Sequence, residues 1–379
     1  MKPPVMNEPA HRPGRVIATR AHDYFVRHRE QVAKTSRTTV ASVASTDAIE
    51  AAIDAAFRTS LRREEGYIPR LSLAILAPEE AVQPLMFEEA LSLTAGSLAK
   101  LSPGVARAGL HVGVWNIHDQ LYAWGTIRSL PISCCVIEIA APGLLVIKHR
   151  QSEQSRKLVN VAVLEGDQIK IVDERAATTV DCPPFVSSLL GATSRLDSVD
   201  VLVELAVSMR GHGRGGALLV VPSDSNQWRE SIVHPLPYSV RPRFSMLGEL
   251  GGESSDRLGR HCEAGLSSME MIAGLTAVDG ATVITDRYEL IAFGAKIARR
   301  DGHRRAEQVT VTEPIEDAAP FIVHPTHLGG TRHLSAVQFV HDQHNAMALV
   351  ASQDGRFTVF SWSRAATMVR AHRVEALLL

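Results

Sequence analysis

Six consecutive small or apolar residues, Gly216–Ala217–Leu218–Leu219–Val220–Val221, constrain this chain more than any other stretch. A continuous apolar strand offers no face to water, so its sheet needs flanking helices. Just before it, Val199, Leu202, Val203 and Ala206 recur at i, i+3, i+4 and i+7, which predicts a helix over Leu196–Arg210 that stops at Gly211. Upstream the pattern is different. From His111 to Ile147, β-rich runs alternate with breaks at His118–Gln120, Arg128–Pro131 and Pro142–Gly143, and Val159–Val172 reads as a hairpin around Gly166–Asp167. The switch falls near Asp181.

This switch divides the chain. Residues 1–15 read as a disordered tail, 16–180 as one domain and 181–379 as another, which suits a length of 379 residues. The first domain is expected to be α+β. Its predicted helices are Val16–Val32, Thr46–Glu65 (capped by Thr46 or Asp47) and Glu80–Lys100, with a short strand Leu71–Leu76, ahead of a largely antiparallel sheet. The second is expected to be α/β, a mixed sheet with flanking helices. Residues 223–265 look irregular, with five glycines from Gly248 to Gly265. Beyond them come a helix over Ser267–Leu275, a hairpin Thr282–Thr285/Glu289–Phe293, a charged stretch Arg299–His324, and a helix Thr331–Asp342. A last hairpin, Met347–Ser352/Arg356–Trp362, turns at Asp354–Gly355.

Composition excludes several functions. With 40 basic and 41 acidic residues the net charge is −1, too balanced for a broad nucleic-acid footprint. The four cysteines form no C-x-x-C pair, and Cys134–Cys135 read as part of a buried strand. The N-terminus lacks an apolar leader, and the most apolar stretch, Cys134–Ile147, is broken by Glu138 and Pro142. A cytoplasmic protein without membrane or nucleic-acid partners is expected.

The motif search leaves few candidates. Gly211–Gly216, GHGRGG, fits G-x-G-x-x-G but follows a helix and opens a strand, the reverse of a dinucleotide fold. His324, His327, His333, His341 and His344 could suggest zinc, against a reading as scattered surface or capping histidines. Two segments remain. Val278–Asp279–Gly280–Ala281 puts a carboxylate at the entry to a hairpin, where a plain D-G turn is the alternative. Leu328–Gly329–Gly330–Thr331–Arg332–His333 puts free backbone N–H groups, a guanidinium and an imidazole at a helix start. That is a phosphate site or simply a capped helix.

Together these segments resemble the signature of the diadenylate cyclase (DAC, or DisA_N) domain, which carries Asp-Gly-Ala and, some fifty residues on, Gly-Thr-Arg-His-Arg. The flanks agree. Gly216–Val221 is similar to the family's first strand, Ala292–Phe293–Gly294 follows as its hairpin end, and Ala346–Phe360 with Ser352 matches its last strands. The resemblance covers about the last half of the chain. Further upstream, Ser60–Leu61–Arg62–Arg63–Glu64–Glu65–Gly66 and Leu121–Tyr122–Ala123–Trp124–Gly125 resemble the DACNV sensor domain.

The resemblance implies condensation of two ATP into c-di-AMP and two pyrophosphates, by a homo-oligomer whose cyclase domains face each other. It gives Asp279 a Mg²⁺ or Mn²⁺ ion near the attacked phosphate and a part in activating the hydroxyl. Arg332 pairs with phosphate, and His333 is a second donor or metal ligand. Gly280, Ala281, Gly329, Gly330, Thr331 and Ser352 line the substrate. Arg299, Arg300, Arg304 and Arg305 either form a solvated loop or fold over the phosphates. The chain departs from the family in three places. Leu334 stands where a basic residue follows Arg-His, the Ser-Glu pair is replaced near Val340–His341, and the acidic pair of the last turn is Gln353–Asp354. A nucleotide-binding sensor or scaffold without turnover is the alternative function.

Overall fold

A computed structural model describes residues 12–35, 40–117, 120–151, 158–179, 181–191, 199–245 and 258–379. The chain divides into two compact units, the first ending at Val172 and the second running from Asp173 to Leu378. Of the expected tail, residues 1–11 lie outside the described residues, whereas Arg12–Arg15 already belong to the first helix.

The first unit is one sheet against helices. In chain order its elements are α1 (Arg12–Thr35), α2 (Thr46–Ser60), β1 (Ser72–Ile75), β2 (Leu85–Ser92), α3 (Ala95–Val105), β3 (His111–Ile117), β4 (Gln120–Ile127), β5 (Cys135–Ala141), β6 (Leu144–Arg150), β7 (Leu158–Glu165) and β8 (Gln168–Ile171). The strand order is β2-β4-β3-β1-β5-β6-β7-β8. All neighbours are antiparallel except β1 and β3, so the sheet is mixed. Ile17 and Phe25 of α1 and Ile49 and Ile53 of α2 share a core with Leu73, Val112, Ile137 and Ile147 from the strands. On the opposite face Trp124, Leu76 and Cys134 pack together, and the Trp124 indole N–H donates to the Leu76 carbonyl at 2.9 Å. Cys134 and Cys135 are both buried, and burial pushes both thiols up, so neither is reactive.

Two local expectations are corrected. The cap of α2 is Ser45, whose side chain accepts from the Ala48 N–H at 3.2 Å, so Thr46 and Asp47 are already helical. The helix expected over Glu80–Lys100 is instead the edge strand β2 followed by α3. Pairing with β4 (Leu85↔Thr126, Leu91↔Ala123) overrides the helical propensity of Phe87–Leu91. The helix restarts only at the Thr94–Ser97 capping box.

Three buried histidines tie stability to pH. His111 receives or gives a hydrogen bond with Ser72 at 2.8 Å, His149 does so with Tyr24 at 2.8 Å, and His372, in the second unit, with Thr312 at 2.9 Å. Burial pushes them down to about 4, about 3 and about 4, with the charge of His28 adding to the effect at His149. A histidine whose folded pKa is depressed is proton-poor in the native state. Its contribution is therefore complete above its unfolded pKa of 6.5 and is lost as pH falls toward the folded value. Each should cost about 2 kcal/mol by pH 5. Melting scans from pH 7.5 to 5 are expected to show a falling transition temperature, with His149→Gln flattening the dependence. A transition that stays level to pH 5 contradicts the assignment.

The second unit holds a nine-stranded sheet. Its elements are α4 (Pro184–Leu189), α5 (Val199–Gly211), β9 (Gly216–Val221), β10 (Tyr238–Ser245), α6 (Leu258–Leu275), β11 (Ala281–Thr285), β12 (Glu289–Ala295), β13 (Val309–Thr312), β14 (Phe321–Val323), α7 (Thr331–Asp342), β15 (Met347–Ala351), β16 (Phe357–Ser363) and β17 (Met368–Arg373). The order is β10-β12-β11-β9-β15-β16-β17-β13-β14. β9 runs parallel to β11 and β13 parallel to β17, and the remaining pairs are antiparallel. β9, an interior strand between β11 and β15, is buried along its whole length, as its apolar run requires. Phe339 and Val340 of α7 cover one face together with Trp228 and Ile232.

The irregular reading of 223–265 missed β10 and a 3-10 turn over Gln227–Ser231. The charged stretch Arg299–His324 conceals β13 and β14, and β17 follows the expected last hairpin. The stretch around Gly248 lies outside the described residues, as do 192–198 ahead of α5. Among the described residues no helix is long and apolar enough to cross a membrane.

Candidate functional site

Parallel neighbours begin at the same end of a sheet. β9 and β11 are in register at Leu218↔Thr282 and Leu219↔Val283, so Gly215 before β9 and Gly280 before β11 stand at one end. Antiparallel β15 and β12 finish at that end, through Ala351↔Gly216 and Ala295↔Ala281. Asp279 lies directly before β11. Its carboxylate is 93% exposed, with the Lys296 ammonium 3.8 Å away. Behind it Gly280 has φ +103°, and an added Cβ would come within 2.6 Å of the Gly294 carbonyl carbon. Only glycine lets the backbone close there, and this closure aims Asp279 outward. Ala281, the next residue, is buried within β11.

The second motif opens α7. Gly330 is its N-cap, without a side-chain cap, and its carbonyl accepts from the His333 and Leu334 N–H groups at 3.0 and 3.3 Å. The N–H groups of Thr331 and Arg332 are thus among the open donors of the first turn. Gly329, Gly330 and Thr331 are exposed. Arg332 reaches toward the end of β9: a Cβ on Gly215 would sit 3.2 Å from Arg332 Nη1 and 3.4 Å from Gln353 Cγ. Ser352 closes the β15–β16 turn, donating its N–H to Arg356 and accepting from Gly355.

His333 turns inward. It is 5% exposed, its ring meets Phe360 edge-on with centroids 6.0 Å apart, and a Cβ on Gly329 would lie 2.7 Å from its Nδ1. Burial lowers its pKa and favours the neutral imidazole, with the charge of Asp354 opposing. Its position supports the Gly329–Gly330 turn from below. Asp279 has Lys296 as its ion-pair partner among the described residues, and neither Arg332 nor His333 bonds to it. The remaining late histidines have separate uses. His324 accepts from the Thr326 N–H, His344 stacks on Trp362 at 3.7 Å, and His341 lies 3.3 Å from Asp342. Among the described residues no three His, Cys, Asp or Glu side chains converge as a metal site.

Sequence reasoning set the GHGRGG loop aside, yet it belongs to this end. Gly215 has φ +71°, Gln353 Nε2 donates to the Arg214 carbonyl at 3.3 Å, and Arg210 Nε donates to the Gly355 carbonyl at 3.2 Å. Its two consecutive glycines before a strand were the available signal. Lys296 was also missed, and nothing local marks it. Arg300 is engaged elsewhere: its guanidinium pairs with Glu230 at 2.6 Å and its N–H donates to Asp342 at 2.9 Å.

A single exposed carboxylate suits a divalent ion that arrives with phosphate oxygens, since Mg²⁺ is commonly held by one or two carboxylates plus substrate phosphates. Asp279 fits that role.

Residues 38–128 match the family described as "Probable sensor domain DACNV". No curated protein matches the chain. Among solved structures, a hypothetical membrane spanning protein from Bacillus cereus superposes with a TM-score of 0.29 at 12% identity, covering 49% of this chain and 69% of its own. DacA from Staphylococcus aureus, in a form carrying two introduced cysteines, superposes with a TM-score of 0.25 at 12% identity, covering 45% of this chain and 83% of its own. With TM-scores this low, neither superposition carries residue roles across.

Proposed function

We infer that this chain is a diadenylate cyclase-related protein: a sensor unit joined to a unit that condenses two ATP molecules into c-di-AMP. The observation that supports this best is the shared end of the second sheet. There Asp279 stands on its Gly280 turn before β11, and Arg332, from the open N-terminus of α7, approaches the Gly215 loop before β9.

In this reading Arg332 and the N–H groups of Thr331 and Arg332 hold phosphate oxygens, with Gly329, Gly330 and Ser352 leaving room for them. The 3′-hydroxyl of one ATP attacks the α-phosphorus of another. The P–O bond to pyrophosphate breaks, and the hydroxyl proton passes to an acceptor, a part this reading gives to Asp279. Repeating the step closes the ring and releases the second pyrophosphate. Mg²⁺ or Mn²⁺ held by Asp279 would supply charge neutralisation at the attacked phosphate. Because one unit presents one such end, two copies must face each other.

Incubation with ATP and Mn²⁺, followed by chromatography, is expected to yield c-di-AMP and two pyrophosphates per product. Binding of ATP without product selects a non-turning-over nucleotide sensor, a reading that Leu334 and Gln353 favour. Absence of both binding and product sinks the proposal. Leu334, half-buried in the first turn of α7, withholds the cation expected there. A charged hydrogen bond to phosphate is worth about 1.5–3 kcal/mol, so Leu334→Arg should tighten ATP binding or raise turnover about tenfold or more. Unchanged kinetics would show that position 334 does not reach the phosphates.

A further inference from the structure

The outer strand of the second sheet carries a second feature, a cavity whose lining includes neither Asp279 nor Arg332. β10 pairs with β12 at Ser239↔Ala292 and again at Phe244↔Leu290. Between those points Val240, Arg241, Pro242 and Arg243 stand opposite Ile291 alone. Such a bulge lifts the strand off its neighbour and re-aims its side chains. Beneath it opens a cavity of about 220 Å³ lined by Arg229, Ser239, Val240, Arg241, Arg243 and Ile291.

The three guanidiniums are placed differently. Arg229 comes from the turn Gln227–Ser231, and its guanidinium lies 4.7 Å over the ring of Trp228, which is itself buried. Gln343 fixes that turn by donating to the Gln227 carbonyl and the Ser231 hydroxyl at 3.2 and 2.9 Å. Arg243 is 3.2 Å from Glu289. Arg241 is exposed and has no hydrogen-bond or ion-pair partner among the described residues. Three positive charges thus line one cavity against a single paired carboxylate. Like charges held together are unfavourable until an anion joins them.

We propose that this cavity is a second anion site, which binds the di- or triphosphate group of a small ligand through Arg229, Arg241 and Arg243. Each guanidinium offers a planar fork of donors, and forks from three backbone positions exceed what one carboxylate's two oxygens can accept. A chain of phosphates has enough oxygens and enough negative charge. The volume also suits it, since a cavity of about 150 Å³ already accepts benzene. Ser239 adds a hydroxyl donor, and Ile291 is an apolar part of the lining. The ligand could be free pyrophosphate or the polyphosphate arm of a nucleotide.

Calorimetric titration of the full chain separates these sources, using pyrophosphate and a non-hydrolysable ATP analogue as probes. All measurements are made without divalent metal in an Arg332→Ala background, so that binding at the motif end is weakened and, being common to every variant, drops out of the comparison. At least one probe is expected to bind and to weaken about ten- to a hundred-fold in Arg241→Gln and in Arg243→Gln. Arg364→Gln, which removes an exposed charge outside the cavity, should leave it unchanged. Arg241 has no partner to lose, so Arg241→Gln keeps the test valid even if Arg243→Gln disturbs the strand. Binding of pyrophosphate points to the free anion, and binding of the analogue alone to a nucleotide. No binding of either probe to millimolar concentration overturns the site. So does an equal loss in Arg241→Gln and Arg364→Gln, which reveals only diffuse attraction.

Discussion

Asp279→Asn is expected to lower c-di-AMP formation from ATP by about two to four orders of magnitude, the range for losing a positioned proton acceptor, while ATP binding and folding persist. The substitution removes a negative charge and keeps the shape. The carboxylate is 93% exposed and its Lys296 partner is 68% exposed, so the pair adds little to stability. Surface changes of this kind usually stay within about 0.5 kcal/mol. The fold should therefore report nothing and the chemistry everything. Product formation is followed by chromatography and folding by thermal melting. Near-normal product from the Asn variant rules out the role given to Asp279.

Gly280→Ala should act the opposite way, through the fold. At φ +103° an alanine is strained, and its Cβ would meet backbone: 2.6 and 2.7 Å from the Gly294 carbonyl carbon and oxygen, and 2.9 Å from the Ala295 oxygen. No flexible side chain can move aside. Strain at such a position costs on the order of 1–3 kcal/mol, and separating β11 from the end of β12 adds to it. A loss of at least about 3 kcal/mol is expected, or a fall of about 6–12 °C in the transition of a unit this size. Activity should drop with it, because the same closure aims Asp279. A variant that melts like the parent would mean that the Gly280–Gly294 approach relaxes freely.

Much of the second unit was legible because its signals are local. The Asp354–Gly355 turn, the apolar run of β9 and the start of α7 at Thr331 each depend on neighbours in the chain. The strands that were missed depend on distant partners. β13 exists because Val309–Thr312 lies beside Val369–His372, about sixty residues away, and no periodicity in Arg299–His324 announces it. β2 is the sharper case: its residues favour a helix, and pairing with β4 decides otherwise. β10 is broken by Pro242 and a bulge, so it looks irregular although it forms the sheet edge.

The candidate site divides along the same line. The order of residues alone determined that an acid stands before a hairpin at Asp279, and that glycines, a hydroxyl and a guanidinium open the helix at Thr331. Glycine freedom and N-terminal donors are properties of a few consecutive residues. Only the tertiary structure decided which groups keep company with them. It brought the GHGRGG loop against Arg332, gave Asp279 a lysine neighbour, and turned His333 inward onto Phe360. It also arched Arg241 and Arg243 over a cavity shared with Arg229. All four depend on which remote segments pair or pack together, and the alternation within one strand fixes which face is buried without naming the partner.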